Sequence, residues 1–125
     1  VEDAAFFFQE NLARLLSLGI RKEQLCLDPG FGFAKNTEEN LALLRASDQL
    51  RRKDIFWLSA FSRKRFLGEL TGVAQAKDRD PATAGVCVTA IQKGADILRV
   101  HNISLCRQAA VLADAVYKQR NSKEG

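Results

Sequence analysis

Apolar residues recur at helical spacing near the start of the chain. From about Glu2 they follow one another at intervals of one helical turn, at Phe8, Leu12, Leu15 and Leu16. This spacing is typical of a helix with one buried face, and Gly19 stands where a C-terminal cap usually lies. The pattern predicts a helix from Glu2 to about Gly19.

Three short apolar runs follow, and a polar or glycine-rich segment comes after each. The runs are Leu25–Leu27, Ile55–Ala60 and Ile97–Val100. Continuous apolar runs bounded by turn residues indicate strands that are buried on both faces, as in parallel sheets. We therefore predict three parallel strands.

A helical segment comes after each predicted strand. Asn36 and Glu39 have the spacing of a capping box for a helix that runs to roughly Ala46. The long connection after the second strand contains one helical turn, at Arg65–Glu69.

Two further helices are predicted in the last third of the chain. Asp80 supplies an N-cap and Pro81 a first-turn proline for a helix that ends at Gly94. Its buried side carries Thr83, Cys87, Ala90 and Ile91. The apolar face of the last helix is defined by Leu105, Ala109, Leu112 and Val116.

The order of elements predicts an α/β fold in which a helix is followed by three strand-loop-helix units. The helix-to-strand links are short and the strand-to-helix links are long, so functional residues are expected at the C-terminal ends of the strands. Three parallel strands with helices outside them leave open edges and an uncovered inner face. We therefore interpret residues 1–125 as the end of a larger barrel, in preference to a sheet completed by another chain.

The composition favours a soluble protein of the cytoplasm. The chain has 125 residues, 46% of them hydrophobic, but no apolar stretch approaches the roughly 20 residues that cross a bilayer. Its first 20 residues are amphipathic and do not resemble a signal peptide. Three separated cysteines, Cys26, Cys87 and Cys106, are predicted to be reduced core thiols.

The positive charge does not indicate a nucleic-acid partner. The net charge is +4, but basic residues are not interleaved with aromatic ones, and the chain has one Trp and one Tyr. Arg51–Lys53 and Lys118–Lys123 are interpreted as solvated faces. We expect neither a nucleic acid nor a membrane as partner.

The segment LDPGFGFAKN holds the first candidate site residues. Asp28 follows the first strand, where a carboxylate can accept paired hydrogen bonds from the N–H and NH2 edge of a pterin or guanine. The alternative is that Asp28 binds amides of its own loop. Phe31 and Phe33 are interpreted either as pocket walls or as core residues.

Cations follow the second and third strands. Ser62, Arg63 and Lys64 are suited to a phosphate or a carboxylate, although a lone basic pair is often only solvated charge. Arg99 and His101 alternate onto one face of the third strand, where they can bind an anion, although a lone histidine is often structural. Since Asp28, Lys64 and Arg99 come from successive strand ends, they are expected to converge on one site.

These residues stand in three motifs that resemble dihydropteroate synthase, the folate-pathway transferase that sulfonamides target. The motifs are LDPGFGFAKNTEENLALL, SRKRFLGEL and ADILRVHN, in the order of that family. The resemblance implies the C-terminal portion of a (β/α)8 TIM barrel, with three parallel strands and four main helices in one pterin-binding domain. It further implies joining 6-hydroxymethyl-7,8-dihydropterin pyrophosphate to p-aminobenzoate, with release of pyrophosphate and help from Mg2+.

The resemblance also implies residue roles. Asp28 would bind the pterin, Lys64 the pterin and p-aminobenzoate, and Ser62 the p-aminobenzoate carboxylate. Phe33 would wall that pocket, with Arg63 near it. Arg99 and His101 would bind pyrophosphate, and Lys64, Arg99 and His101 would be the catalytic residues.

The N-terminal strands of the family are absent from this sequence. The resemblance places the metal-contacting asparagine and two mobile loops there, so no metal ligand is expected in this chain, which should be inactive alone and need that part as a partner. Within the motifs, Ala34 stands where glycine is common, and Asn102 where an aspartate commonly follows the histidine.

Two other functions remain open from the sequence. One is the related pterin-binding barrel of corrinoid methyltransferases, which the SRK and RVH motifs disfavour because such a site holds no pyrophosphate. The other is a non-catalytic fragment that only dimerises. The synthase family is typically homodimeric, which would place Asp80–Lys93 and Ser104–Lys118 near an interface.

Overall fold

A computed structural model describes residues 1–33 and 35–117 of the chain. The helices are α1 (Glu2–Ser17), α2 (Thr37–Leu50), α3 (Arg65–Thr71), α4 (Asp80–Gln92) and α5 (Ile103–Tyr117), and the strands are β1 (Cys26–Leu27), β2 (Phe56–Ser59) and β3 (Ile97–Leu98). The strands form one parallel sheet in the order β1-β2-β3. The predicted α/β class with three parallel strands is confirmed, with α3 as one helix more than the four main ones predicted.

Helix ends agree with the local sequence signals at several places. The capping box is present, because the Asn36 side chain accepts from the Glu39 N–H while the Glu39 side chain accepts from the Asn36 N–H. The helix it begins runs to Leu50, beyond the predicted end at Ala46. Similarly, α3 is a helix of 7 residues that ends at a left-handed Gly72, longer than the predicted single turn.

The predicted cap at Asp80 is wrong. A 3-10 segment, Ala76–Arg79, leads directly into α4, so Asp80 already has helical backbone angles, with φ −63° and ψ −38°. Its carboxylate is therefore not used to cap the helix.

The two faces of the sheet differ in exposure. Side chains alternate along a strand, and the register pairs Cys26 with Phe56 and Leu58 with Ile97. These four residues form the open face, on which Phe56 is 53% exposed. The opposite face packs on helices, and Trp57 there is fully buried. Burial on both faces was thus a wrong prediction for this chain, whereas the predicted uncovered inner face is present.

Aromatic rings organise the core on the helix side of the sheet. The Phe8 ring of α1 meets Trp57 of β2 edge to face, with 5.4 Å between ring centroids. Phe31 and Phe61, from the loops after β1 and β2, meet in the same way at 6.1 Å. Because both loops send a buried phenylalanine into the core, the segments at these strand ends are fixed to it.

The predicted apolar face of the last helix is wrong. Leu105, Leu112 and Val116 are exposed, and Leu112 is 65% exposed. Instead Cys106 and Ala113, one heptad apart, are buried. Small side chains on this face let α5 pack closely, which places the larger apolar residues on the outside.

The cysteines follow the same division between core and open face. All three are free, but Cys26 is exposed on the open face, so its predicted place in the core is wrong. Cys87 and Cys106 are buried, and burial together with the neighbouring Cys106 raises the pKa of the Cys87 thiol to about 12. The Cys87 thiol therefore remains protonated and unreactive near neutral pH.

Two earlier predictions fall on positions outside the described residues: the solvated tail at Lys118–Lys123, and Ala34 in the glycine-rich loop. Within residues 1–33 and 35–117, no helix has the length and hydropathy to cross a bilayer.

Candidate active site at three strand ends

Charged side chains from the three strand ends act on one another. Burial lowers the pKa of the Lys64 ammonium, and the charges of Arg99 and Lys35 lower it further, while Asp28 opposes them. The topology agrees with these effects, because Asp28, Lys64 and Arg99 follow β1, β2 and β3, which are neighbours in one parallel sheet, so the three residues lie at the same edge of it.

Asp28 has one oxygen engaged and one available. Its Oδ1 accepts a hydrogen bond of 2.8 Å from the Gly30 N–H, as expected if the carboxylate binds its own loop. The residue is exposed, and its Oδ2 accepts no hydrogen bond from the part of the chain that the structure describes. The two interpretations of Asp28 are thus compatible, because the free oxygen can still accept from a ligand.

Phe31 and Phe33 have opposite environments. Phe31 is a core residue with no exposure, whereas the Phe33 ring is 70% exposed. The Lys64 ammonium lies 4.8 Å from the centroid of the Phe33 ring and donates a hydrogen bond to the Phe31 carbonyl. The cation and the ring therefore share one wall at the mouth of the site.

Gly32 makes room for the Lys64 side chain. A Cβ at this position would lie 2.8 Å from Cδ of Lys64, and φ is +84°. A larger residue would strain the backbone and displace the lysine.

Asn40 fixes the glycine-rich loop from the first turns of α2, a role that the sequence analysis missed. It is 1% exposed, its Oδ1 accepts the Gly32 N–H at 2.7 Å, and its Nδ2 donates to the Asn36 carbonyl at 3.0 Å. An asparagine among the apolar positions of a predicted helix was the signal for such a bond, since buried polar side chains are normally satisfied.

Lys35 was also missed, although it directly follows the phenylalanine motif. Its ammonium donates to the carbonyls of Gly30 and Phe33 at 3.0 and 3.2 Å. Together with Phe33 it lines two neighbouring cavities, one of about 750 Å³ that includes Lys64 and one of about 610 Å³ that includes Asp28.

Ser62 and His101 connect the ends of β2 and β3. The Ser62 hydroxyl accepts the His101 N–H at 3.2 Å and lies 2.8 Å from His101 Nδ1. If its proton is donated to Nδ1, the neutral ring carries hydrogen on Nε2, which can then donate to an anion. In this arrangement the hydroxyl proton of Ser62 is held by His101, and a substrate carboxylate would have to displace it.

Arg63 is held by a carboxylate of the chain itself. Its Nε and Nη2 donate to the two oxygens of Asp80 at 2.8 and 3.0 Å. This pairing lowers the pKa of Asp80 and raises that of Arg63. The predicted place of Arg63 near p-aminobenzoate stays a prediction, but its guanidinium is already paired.

The pKa of Lys64 offers a test of this convergence. Because Asp28 is the one carboxylate that raises it, Asp28→Asn is expected to lower the Lys64 pKa further. The folded chain binds the Lys64 proton less tightly than the unfolded chain does. The free energy of unfolding should therefore increase as pH rises through the lowered pKa of Lys64 toward about 10.4, the ordinary pKa of a lysine. NMR titration of lysine Cε and Nζ measures the shift.

Glu38→Gln, which removes an exposed carboxylate of α2, is the matched control. It should leave the Lys64 pKa unchanged. An equal shift in both variants would contradict a specific pairing of Asp28 with Lys64.

Residues 1–101 match the profile of a family described as pterin binding enzyme. The chain belongs to the pterin-binding enzyme family. Dihydropteroate synthase of Synechocystis is 41% identical over 113 residues, which cover 90% of this chain and 38% of that protein. The chain thus spans well under half of this curated relative.

Solved structures show the same fold. Xanthomonas albilineans dihydropteroate synthase in complex with 7,8-dihydropteroate aligns with a TM-score of 0.88 at 35% identity, covering 93% of this chain and 44% of that one. A sulfonamide complex of the Yersinia pestis enzyme aligns at 0.86 and 35% identity, over 92% of this chain and 42% of that one. The resemblance to dihydropteroate synthase stated from three motifs is confirmed.

The described residues do not fit a resident magnesium ion. No group of three histidine, cysteine or carboxylate side chains comes together among them. Lys64, Arg99 and Lys35 place positive charge at the strand ends, and positive charge repels a divalent cation.

Proposed function

We propose that this chain supplies the C-terminal part of a dihydropteroate synthase active site. The proposed reaction joins 6-hydroxymethyl-7,8-dihydropterin pyrophosphate to p-aminobenzoate. The observation that carries the proposal is that Asp28, Lys64 and Arg99 follow three neighbouring parallel strands, in a chain 41% identical to a named synthase. A carboxylate suits the donor edge of a pterin, and a guanidinium suits a pyrophosphate.

The chemistry needs an anion-binding side and an apolar side. The bond from the pterin methylene carbon to the pyrophosphate oxygen breaks, pyrophosphate leaves with the electron pair, and the arylamine nitrogen attacks the electron-deficient methylene. The amine then loses a proton. Arg99, Lys64 and the Nε2–H of His101 stabilise the leaving anion, and Phe33 borders the p-aminobenzoate.

The proposed reaction can be tested in a barrel chimera, in which this chain replaces the matching segment of the Synechocystis relative. With both substrates, the chimera should form 7,8-dihydropteroate and pyrophosphate in equal amounts, and a sulfonamide should inhibit it. The relative with this segment deleted is the control. A folded chimera that binds methyl-tetrahydrofolate but not p-aminobenzoate would favour the methyltransferase, and one that binds neither would favour a non-catalytic fragment.

We further propose that Mg2+ assists the reaction and that its protein ligand lies in the N-terminal part of the barrel.

We also propose that the complete protein is a cytoplasmic homodimer. The exposed apolar residues of α5 support an interface there. Native mass of the chimera, with and without Leu112→Glu, measures the assembly. A mass unaffected by that charge would exclude this face as the interface.

A further inference from the structure

The loop after β2 contains an unusual backbone turn. The Lys64 N–H donates to the Phe61 carbonyl at 3.2 Å, which closes a four-residue turn. Its third residue, Arg63, has φ of 60° and is the one non-glycine residue with positive φ in residues 1–33 and 35–117. This is the position at which a type II turn normally requires glycine, so an arginine there is strained.

Hydrogen bonds hold both backbone groups of the strained residue. The Arg63 N–H donates to Oγ1 of the fully buried Thr83 at 3.1 Å. The Arg63 carbonyl accepts from Arg79 Nη1 at 2.9 Å, and Arg79 also donates to the carbonyls of Val73 and Ala74. The start of α4 and the segment before it thus hold both backbone groups of Arg63 in this turn.

Asp80 holds the side chain of Arg63 as well. Its side chain is 13% exposed and that of Arg63 is 29% exposed, so the two-bond ion pair is largely shielded from solvent. Paired hydrogen bonds between a guanidinium and a carboxylate fix orientation as well as charge. Since Ser62 and Lys64 flank Arg63, the orientation of Arg63 also sets theirs.

We propose that Asp80 is a positioning residue, which keeps Arg63 in its left-handed conformation and thereby directs Ser62 toward His101 and Lys64 toward Phe31. This role rests on the proposed function, because Ser62 and Lys64 are site residues only in that reaction. Asp80 itself touches no substrate. It acts through the backbone of Arg63.

The test uses Asp80→Asn in the barrel chimera. A small misplacement of binding groups costs much activity, so kcat/KM for p-aminobenzoate is expected to fall on the order of 10- to 100-fold. In an Arg63→Gly background the same Asp80→Asn change should cost little further activity, because Asp80 then has no guanidinium to hold and glycine adopts positive φ unaided. Asp78→Asn, an exposed carboxylate just before α4, is the matched control and should have no effect.

Two results would overturn the proposal: unchanged kcat/KM in Asp80→Asn, or an equally large fall when Asp80→Asn is added to Arg63→Gly. The second would show that Asp80 acts independently of Arg63, for example through Asn102, whose Nδ2 lies 3.5 Å from Oδ2 of Asp80. Amide hydrogen exchange at residues 63 and 64 of the chain alone gives a readout without substrate. It should speed up in Asp80→Asn but change little when Asp80→Asn is added to Arg63→Gly, whether or not the chimera makes dihydropteroate, and exchange that does not change in Asp80→Asn would equally overturn the proposal.

Discussion

Replacing Arg99 with alanine is expected to weaken pyrophosphate binding to the barrel chimera by about 2 to 3 kcal/mol, which is roughly 30- to 150-fold in affinity. Arg99 is exposed beyond β3 and makes no salt bridge with a described residue, so its donors are available to an anion. Its backbone N–H donates to the Ser59 carbonyl at 3.2 Å and stays in place after the substitution. The loss should therefore come from binding and not from the fold.

Calorimetry with pyrophosphate measures this effect. Arg45→Ala removes an exposed arginine from α2 and should leave the affinity unchanged, which controls for net charge. Arg99→Lys retains the charge without the planar fork, and we expect it to recover only part of the affinity. Full affinity in Arg99→Ala would remove Arg99 from the pyrophosphate site.

Features that depend on neighbouring residues in sequence were predictable. The capping box at Asn36 and Glu39 needs only three residues of separation, and it is present. Parallel strands also follow from local patterns, because short apolar runs separated by helices allow few other arrangements. The meeting of Asp28, Lys64 and Arg99 then follows from topology, since parallel strands end on the same side of a sheet.

Features that depend on contacts between distant residues were not predictable. Asp80 next to Pro81 has the signature of a helix cap, but Arg63, 17 residues earlier, takes its carboxylate. The positive φ of Arg63 could not be predicted from its residue type, because this backbone conformation is usually marked by glycine or asparagine. The sequence also did not show which face of α5 is buried, since its small and its large apolar residues are both consistent with burial.

The open face of the sheet explains the remaining differences. Apolar runs such as Ile55–Ala60 suit strands that are covered on both sides, and their composition does not say what covers them. Here Phe56 and Cys26 are exposed because the described residues provide helices on one side of the sheet. The candidate site lies at the end of the same face, so a segment that covers this face is expected to border the site as well.

The second large effect is expected at the centre of the core. Trp57→Ala should lower the free energy of unfolding of the chain by about 3 to 5 kcal/mol, because it removes a fully buried ring that packs against Phe8. Urea denaturation followed by circular dichroism measures the change. Phe56→Ala, one position along the strand but on the open face, is the matched control and should cost about 0.5 kcal/mol or less.

Trp57→Phe separates packing from hydrogen bonding at the same position. The indole Nε1 of Trp57 is buried and has no hydrogen-bond partner among the described residues. A buried donor without a partner costs free energy, so removing it offsets part of the lost packing. We therefore expect Trp57→Phe to cost only about 1 kcal/mol, and a loss as large as that of Trp57→Ala would contradict an offset from the unpaired Nε1 donor.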